Sequence, residues 1–247
     1  MKKIFLVIAN YKDDRQRVFE ENISPINEAY CKKHGFEYVF IKNTPQLFRQ
    51  NPIWWKFLAL RDMISSGTLK DGDVFTSLDS DMVIVKDDVS YQTDKSFSYA
   101  IDNGNTHCMG SFTLIVNSWS RNMVNLVLDE QRYLKNKDRK IWTTWADQAS
   151  WYDLCGIKDH SWIPFTDLPN YGWHSDESCV PHFPIEELRE NIEIRGPEWN
   201  TTLLDEEAND PVSKNLQLYN IVRSKKEDTI IRHFAGGQPW NPEYFDR

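Results

Sequence analysis

The sequence predicts an α/β fold with a mostly parallel central sheet flanked by helices, and three observations carry that expectation. The chain opens with an apolar run at residues 4–9 that stops at a polar turn. A second run, Val74-Phe75-Thr76-Ser77-Leu78, has almost no polar alternation, the mark of a strand covered on both faces. Between these runs lie helical patterns with their own start and stop signals.

Taken in order, residues 4–9 read as a buried first strand, too short for the apolar core of a signal peptide and far too short for a membrane span. Ser24-Pro25 offers a cap and a first-turn proline for a helix ending at His34-Gly35. Residues 36–41 are a second strand candidate. Asn51-Pro52 starts another helix, whose broad apolar face holds Ile53, Trp54, Phe57, Leu58, Leu60 and Ile64, with Gly67 beyond its end. Asp71-Gly72-Asp73 is a turn ahead of the strand at 74–78. Residues 82–85, 96–101 and 111–116 are further strand candidates. Residues 119–133 read as one helix, 135–140 as a basic surface stretch, and 145–155 as a helix burying Trp151, Tyr152 and Leu154. From about 159 to 215 the periodicity weakens and aromatic residues crowd among prolines. Long packed loops with a strand near 192–195 are expected there. Residues 229–231 return to a strand. With no repeat, low-complexity tract or linker, the chain reads as one domain.

Composition narrows the function. Forty per cent hydrophobic and 27% charged residues describe a folded chain, large enough at 247 residues to need neither disulfides nor a structural metal. Lysine and arginine number 29 against 37 acids, a net charge of -8. That balance argues against holding nucleic acid, which wants a concentrated basic footprint, and leaves room for a small phosphorylated ligand. Cys31, Cys108, Cys155 and Cys179 are scattered and form no CxxC pair, which suits buried thiols in a reducing, cytoplasmic setting.

The chemistry centres on Asp79 and Asp81, directly after the apolar strand. Alternate strand residues point the same way, so two acids one residue apart can converge on one point. Such carboxylates repel each other unless a cation lies between them, and hard oxygen donors suit manganese or magnesium. Taken alone, the spacing also fits a solvated turn. Its place at the carboxyl end of a buried strand favours a ligand site. The two glycine-rich phosphate loops, the G-x-S-x-G elbow and H-E-x-x-H are all absent from the sequence.

With these residues in place the chain resembles the metal-dependent GT-A glycosyltransferases. It looks most like the retaining galactosyl-, xylosyl- and mannosyltransferases of the yeast alpha-mannosyltransferase and plant xyloglucan xylosyltransferase type, with features of the glycogenin and lipopolysaccharide-galactosyltransferase group. The matching stretches are Tyr30 to Glu37, Trp55-Lys56 through Leu60-Arg61, Leu78-Asp79-Ser80-Asp81-Met82-Val83-Ile84, Met109-Gly110-Ser111-Phe112 with Val116-Asn117-Ser118, Asp147-Gln148, and His233-Phe234-Ala235-Gly236-Gly237-Gln238-Pro239-Trp240. They occur in family order across roughly 4–240. Two departures stand out: Cys108-Met109-Gly110 replaces asparagine-alanine-glycine, and Gln238 replaces a lysine near the diphosphate, which shifts attention to Arg61 or Arg232.

The resemblance implies a GT-A domain over 1–247, with about 1–118 mainly binding nucleotide and metal and about 119–247 mainly acceptor. It implies Asp79, Asp81 and His233 as ligands of Mn2+ or Mg2+. Donor contacts are expected from Ala9, Asn10, Tyr11, Lys56, Arg61, Asp79, Ser80, Asp81, Gly236, Gly237 and Gln238. Asp147 and Gln148 are expected beside the transferred sugar. Gln148 would steady developing positive charge in a front-face transfer, and a covalent intermediate on Asp147 is the competing route. Acceptor contacts are expected from Met109, Gly110, Trp162, Tyr171, Trp173, His174, Trp199 and Trp240. A UDP-sugar is the favoured donor, a GDP-sugar the second choice, and an oligosaccharide or glycan the acceptor. The bland readings stand beside these: a structural histidine at 233, an exposed turn at Tyr11, solvated helix positions at Lys56 and Arg61, and core tryptophans. No transmembrane segment is read, peripheral membrane contact stays open, and no oligomer signature is legible. Competing functions are a sugar nucleotidyltransferase and a non-catalytic carbohydrate-binding relative.

Overall fold

The computed structural model of the chain describes residues 1–42, 49, 51–103, 107–138, 146–155, 182–202 and 225–234. Among these residues eight strands are formed: β1 (Lys3–Ile8), β2 (Glu37–Ile41), β3 (Val74–Asp79), β4 (Met82–Ile84), β5 (Phe97–Ile101), β6 (His107–Ile115), β7 (Ile192–Arg195) and β8 (Ile231–His233). Six make one sheet in the order β2-β1-β3-β6-β5-β7, and β4 with β8 makes a second, two-stranded antiparallel sheet. In the large sheet β1 runs parallel to both β2 and β3, and β5 parallel to β7. β6 alone is antiparallel to its neighbours. The expected α/β class with a mostly parallel sheet is therefore present.

The first strand shows why the sequence reads as it does. Ile4 and Leu6 face one side of the sheet and Phe5 and Val7 the other, and all four are buried. The first side packs against α3 (Trp55–Ser65), α4 (Ser118–Val127) and α6 (Asp147–Cys155), through Phe57, Leu60, Val124 and Trp151 among others. Between α4 and α6 the chain also forms α5 (Glu130–Asn136). The second side packs against α2 (Ser24–His34), β4 and β8, through Tyr30, Val83 and Ile231. Two covered faces leave no position where a polar side chain is favoured, hence the unbroken apolar run.

Several local expectations are corrected. Ser24 does not cap a helix: helical structure already begins at α1 (Asp14–Val18), where the Asp13 side chain accepts the Arg15 amide. The chain then widens into a π turn (Phe19–Ile23) before α2, which gives Pro25 room in a run where its ring would otherwise press on a preceding carbonyl. Gly35 ends α2 as expected, with φ at 72°. The helix expected at 119–133 is two helices. Asp129 is extended and caps α5 by accepting the Gln131 amide at 2.8 Å, while Arg132 donates to the Leu126 carbonyl at 2.6 Å. β6 begins at His107, four residues before the run at 111–116. Within the stretch read as loops, α7 (Ile185–Asn191) precedes the expected strand at 192–195, with Glu186 and Glu187 in its first turn. Cys31 and Cys155 are buried thiols and Cys108 is half-buried. Among the described residues no helix is long and apolar enough to cross a membrane.

His107 is buried against Tyr99, whose hydroxyl lies 2.7 Å from its Nδ1. Burial lowers its pKa to about 4 from the usual 6.5. Below pH 6.5 the unfolded chain takes up a proton that the folded chain refuses until about pH 4, so stability is lost as pH falls through that window. The full contribution is about 3 kcal/mol. Urea unfolding at pH 7 and pH 4.5 should show a smaller acid-side loss in His107→Gln than in the wild type; an equal loss would contradict this account.

Candidate functional site

β1 has β2 on one side and β3 on the other, so the strand order reverses beside it. At such a point the connections leave in opposite directions and a crevice opens beyond the carboxyl ends of the strands. Ile8 at the end of β1 pairs with Asp79 at the end of β3. Beyond them lies a cleft of about 300 Å³, with Asn10, Tyr11, Lys56, Asp79, Ser80 and Asp81 in its wall and Pro52 and Ile53 beside them.

Lys56 anchors the floor. It is the second residue of α3, which follows a 3-10 turn (Pro52–Trp54) opened by Asn51 accepting the Ile53 amide. Its Nζ lies 3.1 Å from Asp79 Oδ1, 3.1 Å from Asp147 Oδ2 and 2.8 Å from the Met109 carbonyl. Burial works against the ammonium, but the two carboxylates outweigh it and hold the Lys56 pKa above its usual value. Burial pushes Asp147 up to about 6 despite Lys56, so its carboxylate is ionised at neutral pH. Asp79 is raised by burial and next by Asp81, with Lys56 opposing both.

Gly110, on the neighbouring β6, makes room for this arrangement. A Cβ there would lie 2.7 Å from Met82 Cε and 2.9 Å from Asp79 Oδ2, so any side chain would displace the carboxylate. Gln148, in the first turn of α6, is held at both ends. Its Oε1 accepts the Met109 amide at 3.2 Å, and its Nε2 donates to the Tyr152 hydroxyl at 3.0 Å. Tyr152 in turn donates to the His107 carbonyl.

β8 brings in His233. Pairing with β4 sets His233 opposite Met82, and the Phe234 amide donates to the Asp81 carbonyl at 2.8 Å. His233 Nε2 lies 3.6 Å from Asp81 Oδ1, and Nδ1 lies 2.8 Å from Asn200 Oδ1. Burial lowers the His233 pKa, but Asp81 and then Asp79 more than reverse this, and the net shift is upward. Tyr11 hydrogen-bonds Ser80 through its hydroxyl at 2.7 Å, and the Arg15 guanidinium lies 4.9 Å from its ring. Burial raises the Tyr11 phenol, and the acidic pair adds to this.

The structure thus brings together Asn10, Tyr11, Lys56, Asp79, Ser80 and Asp81 in the cleft wall, with Asp147, Gln148, Met109, Gly110 and His233 joined to them by the contacts above. Ala9 is buried at the end of β1, its amide bonded to the Ile41 carbonyl. Among the described residues no group of three His, Cys, Asp or Glu side chains is gathered closely enough to hold a metal ion by itself, since Asp79 turns to Lys56 while Asp81 meets His233.

Arg61 and Trp199 are not part of this cleft wall. Arg61 falls about 140° around α3 from Lys56 at 100° per residue, and lines a separate hollow with Arg121. Trp199 is half-buried and packs against the core, with the Arg195 guanidinium 4.4 Å from its ring and Tyr91 edge-on at 5.0 Å. Arg232 is buried beside Phe234, one residue out of phase with His233 on β8. Gly236, Gly237, Gln238, Trp162, Tyr171, Trp173, His174 and Trp240 lie outside the described residues.

Three residues of this site went unread in the sequence. Asn27 on α2 donates to the Met82 carbonyl and accepts the Ile84 amide, at 3.3 and 3.2 Å, clamping the strand that follows the acidic pair. Its signal was a polar residue within the apolar Ile23, Tyr30, Cys31 stripe. Tyr152 was legible as the residue four on from Gln148. Asn200 carried no sequence signal.

No protein-family model and no curated protein matches this sequence. Solved structures do. A glycosyltransferase involved in glycosylation of the major capsid of PBCV-1 superposes with a TM-score of 0.50 at 10% identity, over 94% of this chain and 93% of the other. The glycosyltransferase GlyE of Streptococcus pneumoniae TIGR4 matches at 0.48 and 12% identity, over 100% of this chain and 61% of its own. The galactosyltransferase LgtC, solved with donor and acceptor sugar analogs, matches at 0.41 and 10%, over 98% and 93%. The likeness to the first establishes a GT-A fold; it does not reach the narrower resemblance to the yeast and plant enzymes.

Removing Lys56 should leave the buried Asp147 carboxylate without its cation, beside the half-buried Asp79. Lys56→Met should cost about 3–5 kcal/mol in urea unfolding at pH 7. Adding Asp147→Asn should restore part of that loss. A single variant as stable as the wild type would contradict the charge network.

Proposed function

We propose that this chain is a metal-dependent, retaining glycosyltransferase that moves a hexose or pentose from a UDP-sugar to a hydroxyl of a glycan. The observation that carries this reading is one convergence. At the point where the strand order reverses, Asp79 and Asp81 leave β3, a strand from the far end of the chain delivers His233, and Lys56 ties Asp79 to Asp147.

The donor set fits a hard divalent cation. In the protein as it stands, Asp81 and Asp79 favour a proton on His233, and a cation is the natural replacement for that proton. Asp81 and His233 would hold Mn2+ (or Mg2+), with Asp79 beside them and diphosphate oxygens completing the shell. When bound, the metal supplies positive charge to the diphosphate leaving group.

The chain's own residues do the rest. Asn10 and Tyr11 border the cleft where a base and ribose would sit, and the Tyr11–Ser80 hydrogen bond holds that rim. Asp147 is ion-paired with Lys56 and buried, so it orients a sugar hydroxyl rather than attacking carbon. Gln148 is a poor nucleophile with its amide fixed at both ends, which suits electrostatic support of a developing cation in a front-face transfer.

Calorimetry with UDP and with GDP, each with and without manganese, tests the reading. Binding of UDP that requires manganese, followed by turnover of a UDP-sugar, is the expected result. Asp81→Asn and His233→Ala should abolish the manganese-dependent part, and Gly110→Ala should weaken it by about 10–100-fold by crowding Asp79. Folded protein that bound neither nucleotide, or bound glycans without nucleotide or metal, would favour the carbohydrate-binding alternative.

A further inference from the structure

His233 is presented to Asp81 by a single buried amide. Asn200 is fully buried, and its backbone is fixed from both sides. The turn Pro197–Trp199 precedes it, and its own amide donates to the Pro197 carbonyl at 3.0 Å. Thr201, which follows, donates to the Ile231 carbonyl and accepts the His233 amide, both at 2.9 Å, so it makes a single parallel bridge to Arg232 of β8. Trp199, half-buried and packed on Arg195 and Tyr91, holds the turn against the core. Asn200 Oδ1 lies 2.8 Å from His233 Nδ1, whereas Asn200 Nδ2 has no hydrogen-bond partner among the described residues. The buried amide is therefore oriented toward His233 and toward no other protein group described.

We propose that Asn200 is a positioning residue that fixes the His233 ring with its proton on Nδ1, leaving the Nε2 lone pair directed at Asp81 for a divalent cation. This rests on the metal-site reading above. An amide oxygen can only accept, so a hydrogen bond to it requires Nδ1–H. With Nδ1 occupied, a neutral ring has its lone pair on Nε2, the nitrogen 3.6 Å from Asp81. A ring held in one tautomer and one rotamer does not have to be ordered when the metal arrives. Such outer partners of ligating histidines contribute about 10–100-fold to metal affinity.

Two measurements test this. The first needs no variant and no metal: long-range 1H–15N correlation of the His233 ring in metal-free wild-type protein at alkaline pH. The Nδ1–H tautomer is expected; the Nε2–H tautomer would overturn the proposal. The second is manganese affinity in the presence of UDP, read by the free-ion EPR signal. Asn200→Leu should bind manganese about 10–100-fold more weakly, and Asn200→Asp, which keeps the acceptor oxygen, should restore binding to within a few-fold. Unchanged affinity in Asn200→Leu would overturn it. If wild-type protein bound no manganese, the failure would belong to the metal-site reading, and the tautomer would still decide the role of Asn200.

Discussion

The site depends on one buried charge. Lys56 sits where three elements meet, and its ammonium touches the acidic strand end, β6 and the start of α6. Taking an ammonium and a carboxylate out of water costs several kcal/mol each, and their attraction recovers this only when the geometry is good and the remaining donors are used. Here Asp79 and the Met109 carbonyl accept hydrogen bonds from the ammonium, and Asp147 Oδ2 is ion-paired with it at 3.1 Å. The arrangement is weak evidence for stability and stronger evidence for a site. It keeps Asp147 ionised in a buried position and holds Asp79 at the cleft against the repulsion of Asp81.

Topology explains why such distant residues meet. Parallel pairing of β1 and β3 puts two carboxyl ends side by side, and the reversal of strand order leaves the crevice uncovered. The small β4–β8 sheet then performs a separate task. It continues from the acidic turn, is clamped by Asn27 on one side and by β8 on the other, and imports a histidine from more than 150 positions away. The cleft therefore has rigid walls on both sides of Asp81, as a preorganised electrostatic site requires.

Much of this was legible in the sequence, for physical reasons. The apolar runs of β1 and β3 announce strands covered on two faces, and Asp79 and Asp81 directly after one of them are conspicuous because paired acids are costly there. Gly35 and Asn51 marked helix ends through local backbone chemistry. What stayed hidden depends on contacts between distant segments. The resemblance singles out Lys56, but its pairing with Asp79 and Asp147 shows only once α3 is laid against β6. Arg61, five residues on, looks equally eligible until the helix phase turns it away. Trp199 reads as either a core tryptophan or an acceptor contact, and its half-buried packing on the Arg195 guanidinium and Tyr91 follows only from the fold. Asn200 has no local pattern at all, because its partner is supplied by β8. The break at Asp129 could have been read from its capping chemistry, but the apolar pattern on either side concealed it.

The central claim is that the crevice beyond β1 and β3 is a nucleotide–metal site built around Asp81 and His233. Diffraction from crystals grown with UDP and manganese, recorded at the manganese edge, tests it most directly. The account predicts an anomalous peak between Asp81 and His233, with the diphosphate against it and the base toward Asn10 and Tyr11. UDP bound elsewhere, or a peak remote from both side chains, would contradict it.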